Sequence, residues 1–578
     1  MCGKKSVRDV RPSFLYGLYA QVFDAQGVLL LEPEVTSVAS LRQVYLMMKK
    51  LNKKCDPKYV ENSINDFEEI EKSLPRSWEN TWDDSNPEWS SRHGHPIWGS
   101  RDEDDCEVDL FDSTPMLPDG IEPDWPGFRR LCRRFVGQLG YFDPFGIKPK
   151  HGPGAVADKS DFVKYDFAYW PSKLEDIFPY DWHASTDLTV PSYALAREFP
   201  SRLCAVPKTQ KGPRLIAAEP TAHQWIQQGI RRWMEESLHQ TLLSSCIDFR
   251  SQDRSKDLAL KASLTGDFAT VDLSSASDRL TTRLVEYVFQ FNRDLLDGLH
   301  ACRSRVCEVR KRQHVLLRKF ATQGSACTFP VQTIVYTLIA VWAVCLTRNI
   351  DAYDVDPATL GIQVFGDDII VPTDSYPVLV RLLTELRLVV NTNKSFEKGY
   401  FREACGMDAY AGTDVTPAYV RQIYGSTPTS LQSVVECSNN FHLKGYWVLA
   451  DALLKTVPAE ELIRIPIYSW NDEQIADYKK RPPKAKPQEG RTLGPLSFSG
   501  SNFDHLKERF SETLHRVEYL VLSIEHKVEL KVTSGNGSLV QFFNEEPDPL
   551  LPYCSGQVIA VQPRKRLDWV SLTGREKC

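Results

Sequence analysis

Residues 362–371 read IQVFGDDIIV and set two adjacent carboxylates, Asp367 and Asp368, at the centre of an apolar, β-branched stretch. Ile362, Val364, Ile369, Ile370 and Val371 favour strands, while Gly366 and the two aspartates supply turn chemistry. The pattern predicts a β-hairpin with carboxylates at its tip. A Gly-Asp turn on its own is an ordinary solvent-exposed connection. Whether this one is more depends on what else the chain brings to it.

A second acidic stretch lies about ninety residues upstream, DFATVDLSSASDRL from Asp267 to Leu280. ATVDL reads as a short buried strand ending in Asp272, and SSASD as the start of a helix running on through LVEYVFQF. Asp272 at a helix start could be an N-cap, a role for which Ser274, Ser275 and Ser277 also compete. An apolar strand ending in an acid, beside an apolar hairpin tipped with two more, suits a pair of magnesium ions about 3.5–4 Å apart. Carboxylates that close repel one another unless cations stand between them.

Between the two stretches lies TQGSACTFPVQ, Thr322–Gln332, a small-residue loop entering a long apolar helix, with Gly324, Thr328 and Gln332 spaced four apart. Gly324 permits backbone conformations or close approaches that other residues resist. Thr328 and Gln332 share a helix face. Upstream, AVPKTQKGPRLIAAEP (Ala205–Pro220) places Lys208, Lys211 and Arg214 at three-residue intervals, where an extended or looped segment could grip a triphosphate. Each cation taken singly also fits an ordinary surface charge.

In this order the four stretches resemble the RNA-dependent RNA polymerases, most closely the catalytic subunit of the replicases of single-stranded RNA bacteriophages, the leviviruses. The resemblance rests on VPK..K..R..AAEP (motif F), TVDLSSASD (motif A), GSACTFPVQ (motif B) and FGDDII (motif C). NTNKSF, Asn391–Phe396, is similar to motif D, and Phe401–Arg421 continues the match. It covers about residues 200–425. Gln323 and Gln332 stand where many viral polymerases carry Ser and Asn, so the ribose-reading network does not transfer in detail.

The resemblance implies an α+β fold shaped as a right hand. An N-terminal region and fingers would span 1–264, a palm of antiparallel sheet plus helices 265–425 with a fingers insertion near 295–320, and a thumb and C-terminal region 426–578. It implies RNA synthesis from NTPs, with Asp272, Asp367 and Asp368 as catalytic metal ligands for two Mg2+ ions (Mn2+ a possible substitute). Lys208, Lys211, Arg214, Asp278, Gly324, Thr328, Gln332 and Lys394 would serve the nucleotide, Lys394 by positioning or protonating the leaving group. Implied partners are template and product RNA, host elongation factors Tu and Ts and a small-subunit ribosomal protein, in the cytoplasm of a bacterial host and without a membrane. A reverse transcriptase-like palm polymerase and a non-catalytic RNA-binding replication subunit remain as alternatives.

Composition agrees with these readings without choosing among them. At 578 residues the chain is long for one compact domain. Its net charge of -6 argues against an overall coat of positive charge, yet Arg202–Phe320 holds 20 Lys or Arg against 13 Asp or Glu, enough for a local basic channel. The 14 cysteines include no CxxC pair, so neither a zinc ribbon nor a dense disulfide framework is indicated. The N-terminus has no apolar run after its lysines, which makes a secretory signal unexpected. Thr328–Leu346 is apolar enough to mimic a membrane span, but its Pro330, Gln332, Thr333 and Thr337 favour a buried core helix.

Outside the motifs, the first 150 residues suggest helices joined by long loops, with an acidic run at Arg101–Asp109. Arg129, Arg130, Arg133 and Arg134 form either a solvated helix face or a nucleic-acid contact. His151–Ser160 and Lys479–Arg491 have loop composition. Phe503–Val532 reads as one amphipathic helix followed by strand-like segments.

Overall fold

A computed structural model of the chain describes residues 13–75, 125–465, 490–493, Ser497 and 506–571, apart from short stretches within them. Helix α1 (Pro57–Ser73) starts where the Asp56 carboxylate accepts the Lys58 N–H and Pro57 takes the first turn. Helix α2 (Trp125–Gly137) buries Phe128, Leu131, Cys132 and Phe135. Its arginines are partly committed: Arg134 donates to the carbonyls of Ala352 and Val355, and Arg129 and Arg133 lie over Phe291.

Strands β1 (Ser201–Thr209) and β2 (Gly212–Ala218) form an antiparallel hairpin, followed by helix α3 (Thr221–Leu238) and helix α4 (Asp253–Thr265). Gly266, at φ +75, ends α4 in the left-handed conformation and donates back to Ala262. Strand β3 (Phe268–Ser274) then enters the core, and α5 (Ala276–Arg279) and α6 (Thr282–Phe289) follow it. The expected continuous helix is therefore broken at Leu280 and Thr281, where Thr281 caps α6 anew by accepting the Leu284 N–H. The strand also runs two residues past Asp272, since Leu273 and Ser274 pair with a further strand.

Strands β4 (Val306–Arg310) and β5 (Gln313–Leu316) lie beside β1, giving a sheet ordered β2-β1-β4-β5. Helix α7 (Thr328–Arg348) is buried along nearly its whole length, and 89% of its most apolar window lies inside the fold, so it is a core helix. Strands β6 (Gln363–Phe365) and β7 (Asp368–Pro372) form the expected hairpin. With β8 (Val389–Val390) they build a four-stranded sheet ordered β8-β3-β7-β6, each neighbouring pair antiparallel. Strand alternation divides its faces. Val271, Ile369 and Val371 join the main core with α7, while Phe268 and Ile370 pack on the α4 side with Ala259, Ala404 and Met407. Strands β9 (Phe401–Ala404) and β10 (Met407–Tyr410) close that second side.

The C-terminal expectation is corrected. Glu508–Ser511, Arg516–His526 and Arg564–Val570 are antiparallel strands, and no helix is present in the described part of Phe503–Val532. His515 adopts φ +47, a conformation that interrupts a right-handed helix; Tyr519 finds strand partners on both sides, while Val517 pairs with Phe510, Val521 with Asp568 and Leu522 with Leu567. The acidic run at Arg101–Asp109 lies outside the described residues, as do Lys479–Glu489, whereas Arg491 sits in the strand Gly490–Leu493.

Candidate active site

The hairpin turn consists of Gly366 and Asp367, since Phe365 pairs directly with Asp368. Gly366 takes φ +65, the conformation a two-residue hairpin demands and glycine tolerates best. One strand over, Asp272 is the register partner of Asp368, which puts both carboxylates on the same face of the sheet. Three acids from two separate stretches therefore meet at one end of the sheet.

Helix α7 fixes that end from behind. The Thr333 hydroxyl accepts the Gly366 N–H at 3.2 Å, and the Tyr336 hydroxyl donates to the Ala276 carbonyl at 2.9 Å. One helix thus braces both the turn of the hairpin and the chain leaving Asp272.

Electrostatics record the crowding. Burial, then the neighbouring Asp367 and Asp272, raises the Asp368 carboxyl to about 7. Asp367 is also raised, by burial first and by Asp272 among its neighbours, with Lys208 and Lys394 acting against the shift. Lys208 is lowered by burial and by Arg214 and Lys394, while Asp367 and Asp272 act the other way. Lys394 has its ammonium 3.5 Å from Asp272 and 3.6 Å from Glu403; burial lowers its pKa, but the surrounding acids, Asp272 foremost, leave it raised.

Three carboxylates gathered at rigid strand ends form the oxygen-donor set that a hard divalent cation takes, and a cation there would relieve their mutual repulsion. In the present side-chain arrangement, no three His, Cys, Asp or Glu among the described residues are grouped to hold a metal ion. Asp272 instead accepts from Asn391 at 2.8 Å, and Asp368 accepts the Cys405 N–H at 3.1 Å. The donor chemistry suits such an ion, whereas the present side-chain arrangement does not gather it.

The other predicted residues divide by role. Lys208 and Arg214 stand on β1 and β2, and Val206 pairs with Arg214; Lys211 lies outside the described residues. Gly324 serves a close backbone approach: at φ +142, a Cβ there would lie 1.8 Å from the Ala217 carbonyl oxygen, while Ala217 donates to the Gln323 carbonyl. The motif B loop is thereby seated on the motif F strand. Thr328 donates its hydroxyl to the Thr322 carbonyl and holds the same loop closed. Gln332 lies against the hairpin turn, its Nε2 3.2 Å from where a Gly366 Cβ would be, and its buried Oε1 lacks a hydrogen-bond partner, as does the buried Ser277 hydroxyl. Asp278 is paired, with Lys319 at 2.8 Å.

Sequence reading missed Asn391, Ser395, Glu219 and Gln227. Asn391 and Ser395 were within reach of it: β8 pairs with Leu273 and Ser274, so the residue after β8 falls beside Asp272, and Ser395 accepts the Asp272 N–H. Glu219 lies within the AAEP of motif F, but nothing in the sequence showed its partners. Its buried carboxylate receives Ser304, Gln227 and Thr322, and Gln227 also accepts the Ala326 N–H, tying the motif B loop to α3.

Residues 183–441 match the family described as RNA replicase, beta-chain. This region is similar to the RNA replicase beta chains. The matched region contains every predicted site residue, and the relatives it resembles carry matching names. An RNA-directed RNA polymerase beta chain of Enterobacteria phage GA is 31% identical over 237 residues, 40% of this chain and 41% of that one. The subunit beta of Escherichia virus Qbeta is 32% identical over 224 residues, 38% and 35% of the two chains, and the beta chain of Escherichia phage MS2 is 32% identical over 217 residues, 38% and 37%. The aligned part of the matched region thus spans about two-fifths or less of the relatives it matches.

Proposed function

We propose that the chain is an RNA-directed RNA polymerase that copies a single-stranded RNA phage genome by nucleotidyl transfer from NTPs. The observation that carries this reading is the pairing of Asp272 with Asp368 beside the Asp367 turn, with Lys208 and Lys394 close enough to counter their charge. The names of the relatives support the same activity.

Two Mg2+ ions, or Mn2+ in their place, would be held by Asp272, Asp367 and Asp368; bound there, they would supply charge neutralisation and activation of the attacking 3′-hydroxyl. The remaining tasks belong to the protein. Lys208, Lys211 and Arg214 hold the triphosphate, and Lys394 orients the leaving group or gives it a proton. Asp278, with Gln332 close to the hairpin turn, reads the ribose. Gly324 and Thr328 keep the motif B loop shaped to receive the nucleotide. Template sequence is copied by base pairing, so the protein grips backbone and shape.

In this reading residues 265–425 form a palm, 1–264 with the insertion near 295–320 the fingers, and 426–578 a thumb and C-terminal region. The enzyme would act in the bacterial cytoplasm with template and product RNA, host elongation factors Tu and Ts and a small-subunit ribosomal protein. The deciding experiment is template-directed NTP incorporation by the purified full-length chain, with and without host lysate, in magnesium and in chelator. Incorporation that needs template and metal and disappears in Asp367→Asn supports the reading. RNA binding without synthesis under every condition would replace it with a non-catalytic subunit.

A further inference from the structure

Lys319 is fully buried, yet it carries an ammonium group with three neighbours. Its Nζ lies 2.8 Å from Asp278 Oδ1, 3.3 Å from Glu71 Oε1 and 3.5 Å from the centre of the Phe67 ring. A buried ammonium without partners is costly, and these three groups supply what water would otherwise give. Glu71 grips the backbone too, accepting the N–H groups of Arg318 at 2.6 Å and Lys319 at 3.4 Å. The segment is then stitched to the chain after Asp278: Thr282 donates to the Arg318 carbonyl, and Phe320 donates to the Leu280 carbonyl.

Asp278 is the least buried member of the trio, its side chain 24% accessible against 0% for Lys319 and 3% for Glu71. Lys319 engages its Oδ1, and no partner of Oδ2 is present among the described residues. The lysine thereby fixes a rotamer that an isolated aspartate on a four-residue helix would not hold. Helix α1 supplies both Glu71 and Phe67, and the same helix packs Phe67 and Ile64 against Leu215 and Ala217 of β2, the strand carrying Arg214.

We propose that Lys319 is a positioning residue, clamped by Glu71 of α1, that aims the free oxygen of Asp278 at the 2′-hydroxyl of the incoming nucleotide. This rests on the polymerase reading and adds to it a source of sugar discrimination that begins in α1, far upstream in the chain. A fixed acceptor meets the ribose hydroxyl without first being ordered, and a deoxynucleotide leaves that acceptor unpaired.

The test is steady-state incorporation of an rNTP and its 2′-deoxy counterpart by the full chain, in wild type, Lys319→Met, Lys319→Arg, Glu71→Gln and Asp278→Ala. Lys319→Met should narrow the rNTP over dNTP preference by about tenfold, mainly through a raised KM for the rNTP, with dNTP use little changed. Lys319→Arg should recover part of the preference, and Lys319→Met should cause no further loss in an Asp278→Ala background. Glu71→Gln, which keeps the shape of the clamp, should narrow the preference less and serves as the probe where Lys319→Met does not fold. An active wild type whose variants lose rNTP and dNTP use in equal proportion overturns this role and leaves Lys319 as a support of the fold. A wild type that incorporates neither nucleotide removes the polymerase reading, and the proposal with it.

Discussion

Asp272 and Asp368 sit directly opposite one another on antiparallel strands, so the spacing of their side chains is set by the sheet and not by a loop. Neutral replacement should therefore act on chemistry before it acts on the fold. Asp272→Asn and Asp367→Asn are each expected to cut nucleotide addition at least several-hundred-fold, several kcal/mol of barrier, while the melting temperature stays the same or rises as repulsion is relieved. Paired activity and melting measurements check this. Near-normal turnover in either variant would place the reaction elsewhere.

Lys208 stands close enough to Asp367 and Asp272 to feel both charges, and Arg214 lies on the facing strand. Lys208→Ala and Arg214→Ala should raise the KM for NTP or lower kcat by about tenfold or more, with a smaller change in RNA affinity and in its salt dependence. If RNA binding weakens and nucleotide kinetics do not move, these cations line the template path.

Gly324→Ala should be poorly tolerated, because its methyl group would fall 1.8 Å from the Ala217 carbonyl in a backbone conformation that only glycine adopts readily. A loss of about 3 kcal/mol or more is expected, with the motif B loop displaced from β2. Chemical denaturation measures the first effect. A variant of wild-type stability would show that the loop is not seated on that strand in solution.

Acid should destabilise the fold well above the range in which surface carboxylates titrate. Burial, the foremost cause in each case, depresses His151 and His223 to about 3 and His183 to about 4, from 6.5 when unfolded. Below pH 6.5 the unfolded chain takes up these protons and the native chain does not, so stability falls as pH falls from there toward 4. Glu198 adds to the loss. Burial alone would raise its pKa, but Lys173 and Arg305 outweigh burial and hold it at about 2, so its contribution is present above 4.5 and drains away as pH drops toward 2. Between pH 6.5 and 4 each buried histidine should lower stability by up to about 1.4 kcal/mol per pH unit, offset in part by Asp368, whose raised carboxyl takes up its proton in the native state over the same range, and melting temperatures across pH 7 to 4 follow the balance. His223→Gln should make the wild-type decline shallower, and an unchanged pH dependence in that variant would contradict a buried, neutral His223.

The hairpin, the core helix at Thr328 and the strand through Asp272 were legible because each is written locally, in period-two apolar runs, a turn glycine and a long apolar stretch. The break at Leu280 and Thr281 was not, since it is imposed by Arg318 and Phe320 pairing from outside the helix. The C-terminal strands were hidden for a similar reason: Arg516–His526 suits either period until its three neighbours are known. Within the site, residue types pointed to the acids and cations, whereas the partners of Asp272 and Asp278 depend on register and on a helix some two hundred residues upstream.

That helix also has a history on the ribosome. The Glu71 carboxylate waits for an amide 247 residues later in the chain. At about 5–20 residues per second, the interval between the two is roughly 12–50 s, during which Glu71 has been made but its backbone partners have not. Until β2 emerges to cover Phe67, an amphipathic α1 is open to chaperones, to other nascent chains and to proteases. The site would become complete late, when Lys319 emerges and closes on a partner made long before it.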